Sequence, residues 1–141
     1  MSNFLKNICL TFLLVWSATA NADFKNINNQ QLASMLEGDV LLVDIRREDE
    51  WLDTGVIEDS LRLTFFDKKG AYDARAWLTE IEKVKKPDQK IVLICYSGVR
   101  TRVVSHWLSN QLGWDDVYNV KGGIVDWIKD DRDVIKLPEA Q

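Results

Sequence analysis

Residues 91–112, IVLICYSGVRTRVVSHWLSNQL, decide how the chain is read. Ile91 to Ile94 are four consecutive apolar residues rich in β-branched side chains, which predicts a strand covered on both faces. That strand delivers Cys95 to its end. Beyond Ser97-Gly98 the apolar positions Val103, Val104, Trp107, Leu108 and Leu112 fall at helical spacing, so a helix is expected to begin at Arg100 or Thr101. The cysteine therefore sits in a tight strand-to-helix loop and faces a helix N-terminus.

Unpaired N–H groups and aligned peptide dipoles at a helix start favour an anion at the centre of such a loop. Gly98 lets the backbone turn inward so that the amides of Tyr96, Ser97, Gly98, Val99 and Arg100 converge as a nest. Arg100 and Arg102 add full charges. These features favour the thiolate, the form of cysteine that attacks sulfur or phosphorus. A strand-end cysteine can equally be a small packed hydrophobe, so the reactive reading requires a thiol that a donor can reach and amides that point at it.

The string Cys95-Tyr96-Ser97-Gly98-Val99-Arg100 resembles the active-site loop of the rhodanese (thiosulfate sulfurtransferase) family, in its single-domain exported form. Asp44-Ile45-Arg46 with Glu50-Trp51 resembles the family's upstream signature, and Val120-Lys121-Gly122-Gly123 with Trp127 resembles its last motif. Gly55-Val56-Ile57-Glu58-Asp59-Ser60 departs from the family's Gly-His-Ile-x-Gly-Ala, with Val56 in place of the His and Asp59 in place of the second Gly. The resemblance spans the chain beyond residue 22. It implies a cysteine persulfide held by the loop amides, with thiosulfate as donor and cyanide or a thiol as acceptor. Phosphatases related by fold have a loop one residue longer and a His before the Cys, whereas here Ile94 precedes Cys95 and Arg100 follows after four residues.

Residues 1–22 read as a cleaved signal peptide, with Lys6 in the n-region, an apolar stretch from Ile8 to Trp16 and Ala20-Asn21-Ala22 as the cleavage pattern. Its apolar core is short of the roughly 20 residues needed to span a bilayer. Export to the periplasm is expected, with no membrane contact after cleavage after Ala22 or Ala20. The leader takes with it Cys9 and one basic residue, leaving 17 Lys and Arg against 22 Asp and Glu, a formal charge of −5. The remaining chain, 23–141, suits a single domain and holds one cysteine, so no internal disulfide explains Cys95. An acidic chain without a basic tract argues against nucleic acid.

The rest of the chain alternates short β-branched runs with helical spacing. Phe24 to Ile27 and Val40 to Val43 read as strands. A helix carrying Leu32, Met35 and Leu36 is capped by Asn28 or Asn29 and closed by Gly38. Leu61 and Leu63 suggest a short strand, and Lys68-Lys69-Gly70 a turn. Asp73 caps a helix that ends before Pro87, and Val117 to Val120 forms the last strand. Trp77 reads as core, while Arg47, Glu48, Asp49 and Asp53 read as a solvated face. The expected fold is α/β: a parallel sheet of about five strands with helices on both faces. The site lies at a strand's carboxyl end, as is the rule for such sheets.

The function read from the sequence is sulfur transfer. Cys95 is the nucleophile, the amides from Tyr96 to Arg100 are the cradle, and Arg100 holds an anion or braces the loop. Asp44 and Arg46 are supporting: either the pair fixes a loop beneath the cysteine, the favoured reading, or Arg46 helps to hold an anionic donor near it. No cofactor is expected, and one Cys with His106 as the only histidine makes no zinc set. His106 falls away from the apolar stripe and reads as a surface residue. The acceptor is a small thiol, cyanide or a protein thiol. The competing readings are a cysteine-dependent phosphatase or arsenate reductase, and a non-catalytic sulfur-carrier or binding module. A thioredoxin-like oxidoreductase is disfavoured by the lack of C-x-x-C.

Overall fold

The computed structural model describes residues 23–139; the signal-peptide expectation for residues 1–22 lies outside them. Strands β1 (Lys25–Ile27), β2 (Val40–Asp44), β3 (Leu61–Arg62), β4 (Lys90–Ile94) and β5 (Val117–Val120) form one parallel sheet in the order β1-β5-β4-β2-β3. The apolar run of β4 takes the central position of the sheet, where both faces are covered. It pairs Ile91 with Leu41 and Leu93 with Val43 on one side, and Ile91 with Val117 on the other.

The two-residue alternation of β4 divides the core. Ile91, Leu93 and Cys95 join Val43 and Ile45 against Trp77 and Ile81 of α3 (Ala74–Val84) and Val104 and Leu108, the last two on the segment that follows Cys95. Val92 and Ile94 join Leu42 against Leu32 of α1 (Asn29–Leu36) and Ile124 and Trp127 of α5 (Gly123–Lys129). Helices therefore cover both faces, as expected. Fully burying each such aliphatic side chain contributes about 1.5–3 kcal/mol, so the core fixes β4, and β4 fixes where Cys95 emerges.

Local signals act as read at several ends. Asn28 caps α1, accepting from the Gln31 amide at 2.8 Å while Gln31 accepts from the Asn28 amide at 2.9 Å. Asp73 caps α3 through the Ala76 amide at 2.9 Å. Trp77 is core, with its indole N–H on the Leu63 carbonyl.

One helix is added to those expected, and two expectations are corrected. Residues 48–54 form a helix, α2 (Glu48–Thr54), whose first turn carries Glu48, Asp49 and Glu50, the charge that a helix N-terminus favours. It escapes the periodicity test because it buries no residue fully. Helix α4 (Val99–His106) starts one or two residues early, since Gly98 adopts φ 84° and reverses the chain at once. Its inner face is Thr101, Val104, Ser105, Leu108 and Ser109, whereas Val103 is 60% exposed. Short hydroxyl side chains let this helix lie close to the sheet, and it continues as a π-helical turn, Trp107–Gln111, before Gly113.

The turn after Ile57 survives the loss of the family's glycine. Asp59 takes φ 58°, a left-handed conformation that Asp tolerates better than most residues. Val56, in place of the family's His, makes a backbone bridge with Ile135.

Candidate active site

Cys95 follows the last residue of β4, and its main chain is clamped from below. The Ile124 amide donates to the Cys95 carbonyl at 2.9 Å, and the Val125 amide to that of Tyr96 at 3.2 Å. The clamp depends on two glycines with left-handed backbone. A Cβ at Gly123, φ 64°, stands 2.4 Å from the Tyr96 carbonyl oxygen, and one at Gly98 stands 2.2 Å from that of Lys121. The two turns thus interlock where side chains have no room, which is the close approach expected of the Gly122-Gly123 turn.

Around the sulfur, the Gly98 amide donates to Sγ at 3.2 Å, and Thr101 Oγ1 lies 3.3 Å from it. Of the five amides expected in the cradle, Gly98 alone is hydrogen-bonded to Sγ among the described residues. Cys95 is 1% exposed and packs with Ile45, Phe65 and Val104. The expectation of an open thiol is corrected accordingly: the sulfur forms the floor of its loop. Tyr96 and Val99 are exposed on the outer side.

Arg100 braces the loop. Its Nη1 and Nη2 donate to the two carboxylate oxygens of Glu50 at 2.9 and 2.6 Å. The Glu50 carboxylate, and secondarily the Cys95 sulfur, hold the guanidinium pKa above its ordinary value. Burial alone pushes the Glu50 carboxyl up, but Arg100 and Arg47 together outweigh it and hold Glu50 below the usual carboxylate range. Sequence reading passed over Glu50 as a site residue. Its only signal was its place in the upstream motif, because nothing in the spacing shows that α2 faces the loop.

Asp44 and Arg46 are the supporting pair. Arg46 is fully buried. Its guanidinium donates to Asp44 at 2.9, 3.1 and 2.7 Å, to Thr54 Oγ1 at 2.7 Å, and to the carbonyls of Gly55 at 2.9 Å and Glu50 at 3.3 Å. With its donors committed, it holds α2 to the end of β2. The chain of contacts runs Asp44, Arg46, Glu50, Arg100, so the pair acts on the loop from a distance. His106 is exposed beside Asn110.

Residues 28–130 match the Rhodanese-like domain. The chain belongs to the rhodanese-like family. Within that family it is 30% identical over 107 residues to the thiosulfate sulfurtransferase GlpE of Haemophilus influenzae strain PittEE, covering 75% of this chain and 90% of that one. It is also 30% identical over 103 residues to the tRNA uridine(34) hydroxylase of Rickettsia canadensis strain McKiel, covering 73% of this chain but 39% of that one. A rhodanese-related protein from Thermoplasma volcanium shares the fold, with a TM-score of 0.60, 24% identity, and coverage of 81% of this chain and all of that one. A rhodanese-like domain therefore serves proteins of more than one activity. The particular use in this chain has to be argued from Cys95 and its neighbours.

Proposed function

We propose that the protein is a sulfurtransferase that moves a sulfane sulfur from thiosulfate to cyanide or a thiol through a persulfide on Cys95. The observation that carries this is the Gly98 amide aimed at Cys95 Sγ, inside a loop clamped at the carboxyl end of β4. The likeness to a thiosulfate sulfurtransferase over most of both chains supports it.

The Cys95 thiolate attacks the outer sulfur of thiosulfate, a new S–S bond forms, and sulfite leaves with the electron pair of the broken bond. Sulfite needs no strong general acid to depart. In this reading the outer sulfur on Cys95 is held by the loop amides of Tyr96, Ser97, Val99 and Arg100, none of which is bonded to Sγ in the resting loop, together with that of Gly98. An acceptor nucleophile then takes that sulfur and regenerates the thiolate. Thiosulfate-dependent formation of thiocyanate by the purified protein, abolished by Cys95→Ser, tests the proposal.

A second reading is a rhodanese-like module that binds or carries sulfur without turnover. It draws on the burial of Cys95. A folded protein that forms no thiocyanate favours it. We further propose that residues 1–22 direct export to the periplasm and are removed there, on the pattern of Lys6, an apolar core and Ala20-Asn21-Ala22. N-terminal sequencing of the protein from a periplasmic fraction tests this, with Asp23 or Asn21 as the expected first residue.

A further inference from the structure

Charge is spread unevenly over the molecule. The stretches that run from the last residue of each strand through the first four residues of the helix after it, 27–32, 44–51, 62–77, 94–102 and 120–126, form the edge of the sheet where Cys95 lies. They carry nine Lys and Arg against seven Asp and Glu, whereas the rest of residues 23–141 carries eight against fifteen. On this edge Asp44, Asp49 and Glu50 are spent on Arg46, Arg47 and Arg100, and Asp126 faces Lys129. Asp67 and Asp73 accept nearby backbone amides, and Glu48 opens α2. Arg62, Lys69, Arg75, Arg102 and Lys121 pair with no carboxylate among the described residues. The surroundings of the sulfur are thus cationic on an otherwise acidic chain, which draws in acidic partners and repels basic ones.

The same edge leaves apolar surface uncovered. Val99 and Val103, one helical turn apart on α4, are 63% and 60% exposed, and Tyr72 is 62% exposed. Val103 and Tyr72 line a groove of about 370 Å³ together with Phe65, Phe66, Val104 and Trp107. Phe65 and Val104 also pack with Cys95, and Val99 begins the helix that leaves the Cys95 loop, so the apolar strip runs from the groove to the loop. Lys69 and Arg75 flank Tyr72 in sequence, and Arg102 precedes Val103. Exposed apolar surface with a charged rim marks a contact. A concave groove takes a projecting side chain, whereas a lipid surface is met by apolar side chains that project into it.

We propose that this strip is the docking surface for the sulfur acceptor, an acidic protein that presents a thiol close to an apolar side chain. The inference rests on the sulfurtransferase reading and names its acceptor. The partner's apolar side chain enters the groove, its carboxylates face Lys69, Arg75 and Arg102, and its thiol is delivered to the loop. There the partner's thiolate attacks the outer sulfur of the Cys95 persulfide. An S–S bond to the partner forms as the Cys95 Sγ–S bond breaks, and Cys95 leaves as a thiolate with the electron pair, so no oxidant is needed.

The test loads the full chain with sulfur from thiosulfate and follows, by mass, its transfer to two synthetic peptides, acetyl-Glu-Glu-Leu-Cys-Glu-Glu-amide and its counterpart with Lys for Glu. Each rate is divided by that peptide's rate with hydroxyethyl disulfide, which removes the difference in thiol reactivity, and Cys95→Ser is the reference for any sulfur on Cys9. The acidic peptide is expected to take sulfur about tenfold faster than the basic one, and the ratio to fall toward one in about 0.5 M sodium chloride. Arg75→Gln and Val103→Ser are each expected to slow transfer to the acidic peptide about threefold or more and to leave transfer to mercaptoethanol within about twofold. Equal rates for the two peptides, or variants that slow mercaptoethanol as much as the acidic peptide, overturn the inference. So does co-sedimentation with vesicles of phosphatidylglycerol and phosphatidylcholine that Val103→Ser abolishes, which assigns the strip to a membrane, or a dimer in gel filtration that the same variant dissociates, which assigns it to a second copy. Absence of loading from thiosulfate in the folded wild-type protein is a separate result, and it overturns the sulfurtransferase reading on which the inference rests.

Discussion

The amide of Ile124 donates to the carbonyl oxygen of Cys95 across 2.9 Å. That bond ties the start of α5 to the residue on which the chemistry depends. It can form because Gly123, just before Ile124, brings the two backbones together without a Cβ between them. Helix α5 is thus part of the site although no side chain of it touches the sulfur in the described contacts.

Gly123→Ala should therefore damage the loop rather than the core. The substitution adds both a left-handed strain and a contact at 2.4 Å from the Tyr96 oxygen, together costing about 1–3 kcal/mol or more. Urea unfolding should show that loss, and sulfur loading of the folded fraction should fall at least several-fold. Unchanged loading would mean that the clamp does not position Cys95.

Arg46→Met should be among the most harmful single changes. It leaves Asp44 as a buried carboxylate without its partner, at a cost of about 3–5 kcal/mol. The double change Asp44→Leu with Arg46→Met removes both charges and should recover part of the loss. Chemical unfolding of the three variants checks the order, and a single variant as stable as the wild type would contradict the role assigned to the pair.

Much of this arrangement was legible in the sequence. The four apolar residues of β4 announced a central strand, Asn28 and Asp73 announced helix starts, and the Gly122-Gly123 turn announced a close approach. What was not legible required knowing which surfaces meet. Helix α2 has no fully buried residue and hence no readable stripe, so Glu50 could not be placed against Arg100 from spacing. The inner face of α4 uses Thr101, Ser105 and Ser109, which a count of apolar positions assigns to solvent, while Val103 goes outward. The burial of Cys95 follows from the same packing.

The Glu50–Arg100 pair should make stability depend on acid. The folded-state pKa of Glu50 lies below its ordinary value, so the pair's contribution is present above the unfolded carboxylate range and is lost as the pH falls through the folded value. Wild type and Glu50→Gln should differ in stability at neutral pH and converge only as the pH falls below the ordinary carboxylate range and through the lowered folded value. Thermal unfolding across pH measures this, and a difference that persists or widens in acid would contradict the pairing.

The position of Cys95 also sets its reactivity toward bulky reagents. Iodoacetamide should label it on the order of a hundredfold more slowly in the native protein than in urea, because Cys95 is buried in the folded chain. Time-resolved mass spectrometry, with Cys95→Ser to identify labelling at Cys9, reads the ratio. Equal rates in both states would show that the sulfur is not the floor of a closed loop.

The most direct measurement is the intact mass of the purified protein before and after thiosulfate, for wild type and Cys95→Ser. The account predicts that the wild-type chain gains the mass of one sulfur, that cyanide removes it, and that the Ser variant, folded alike, gains none. A wild-type protein that takes up no sulfur, or a Ser variant that takes up as much, would contradict it.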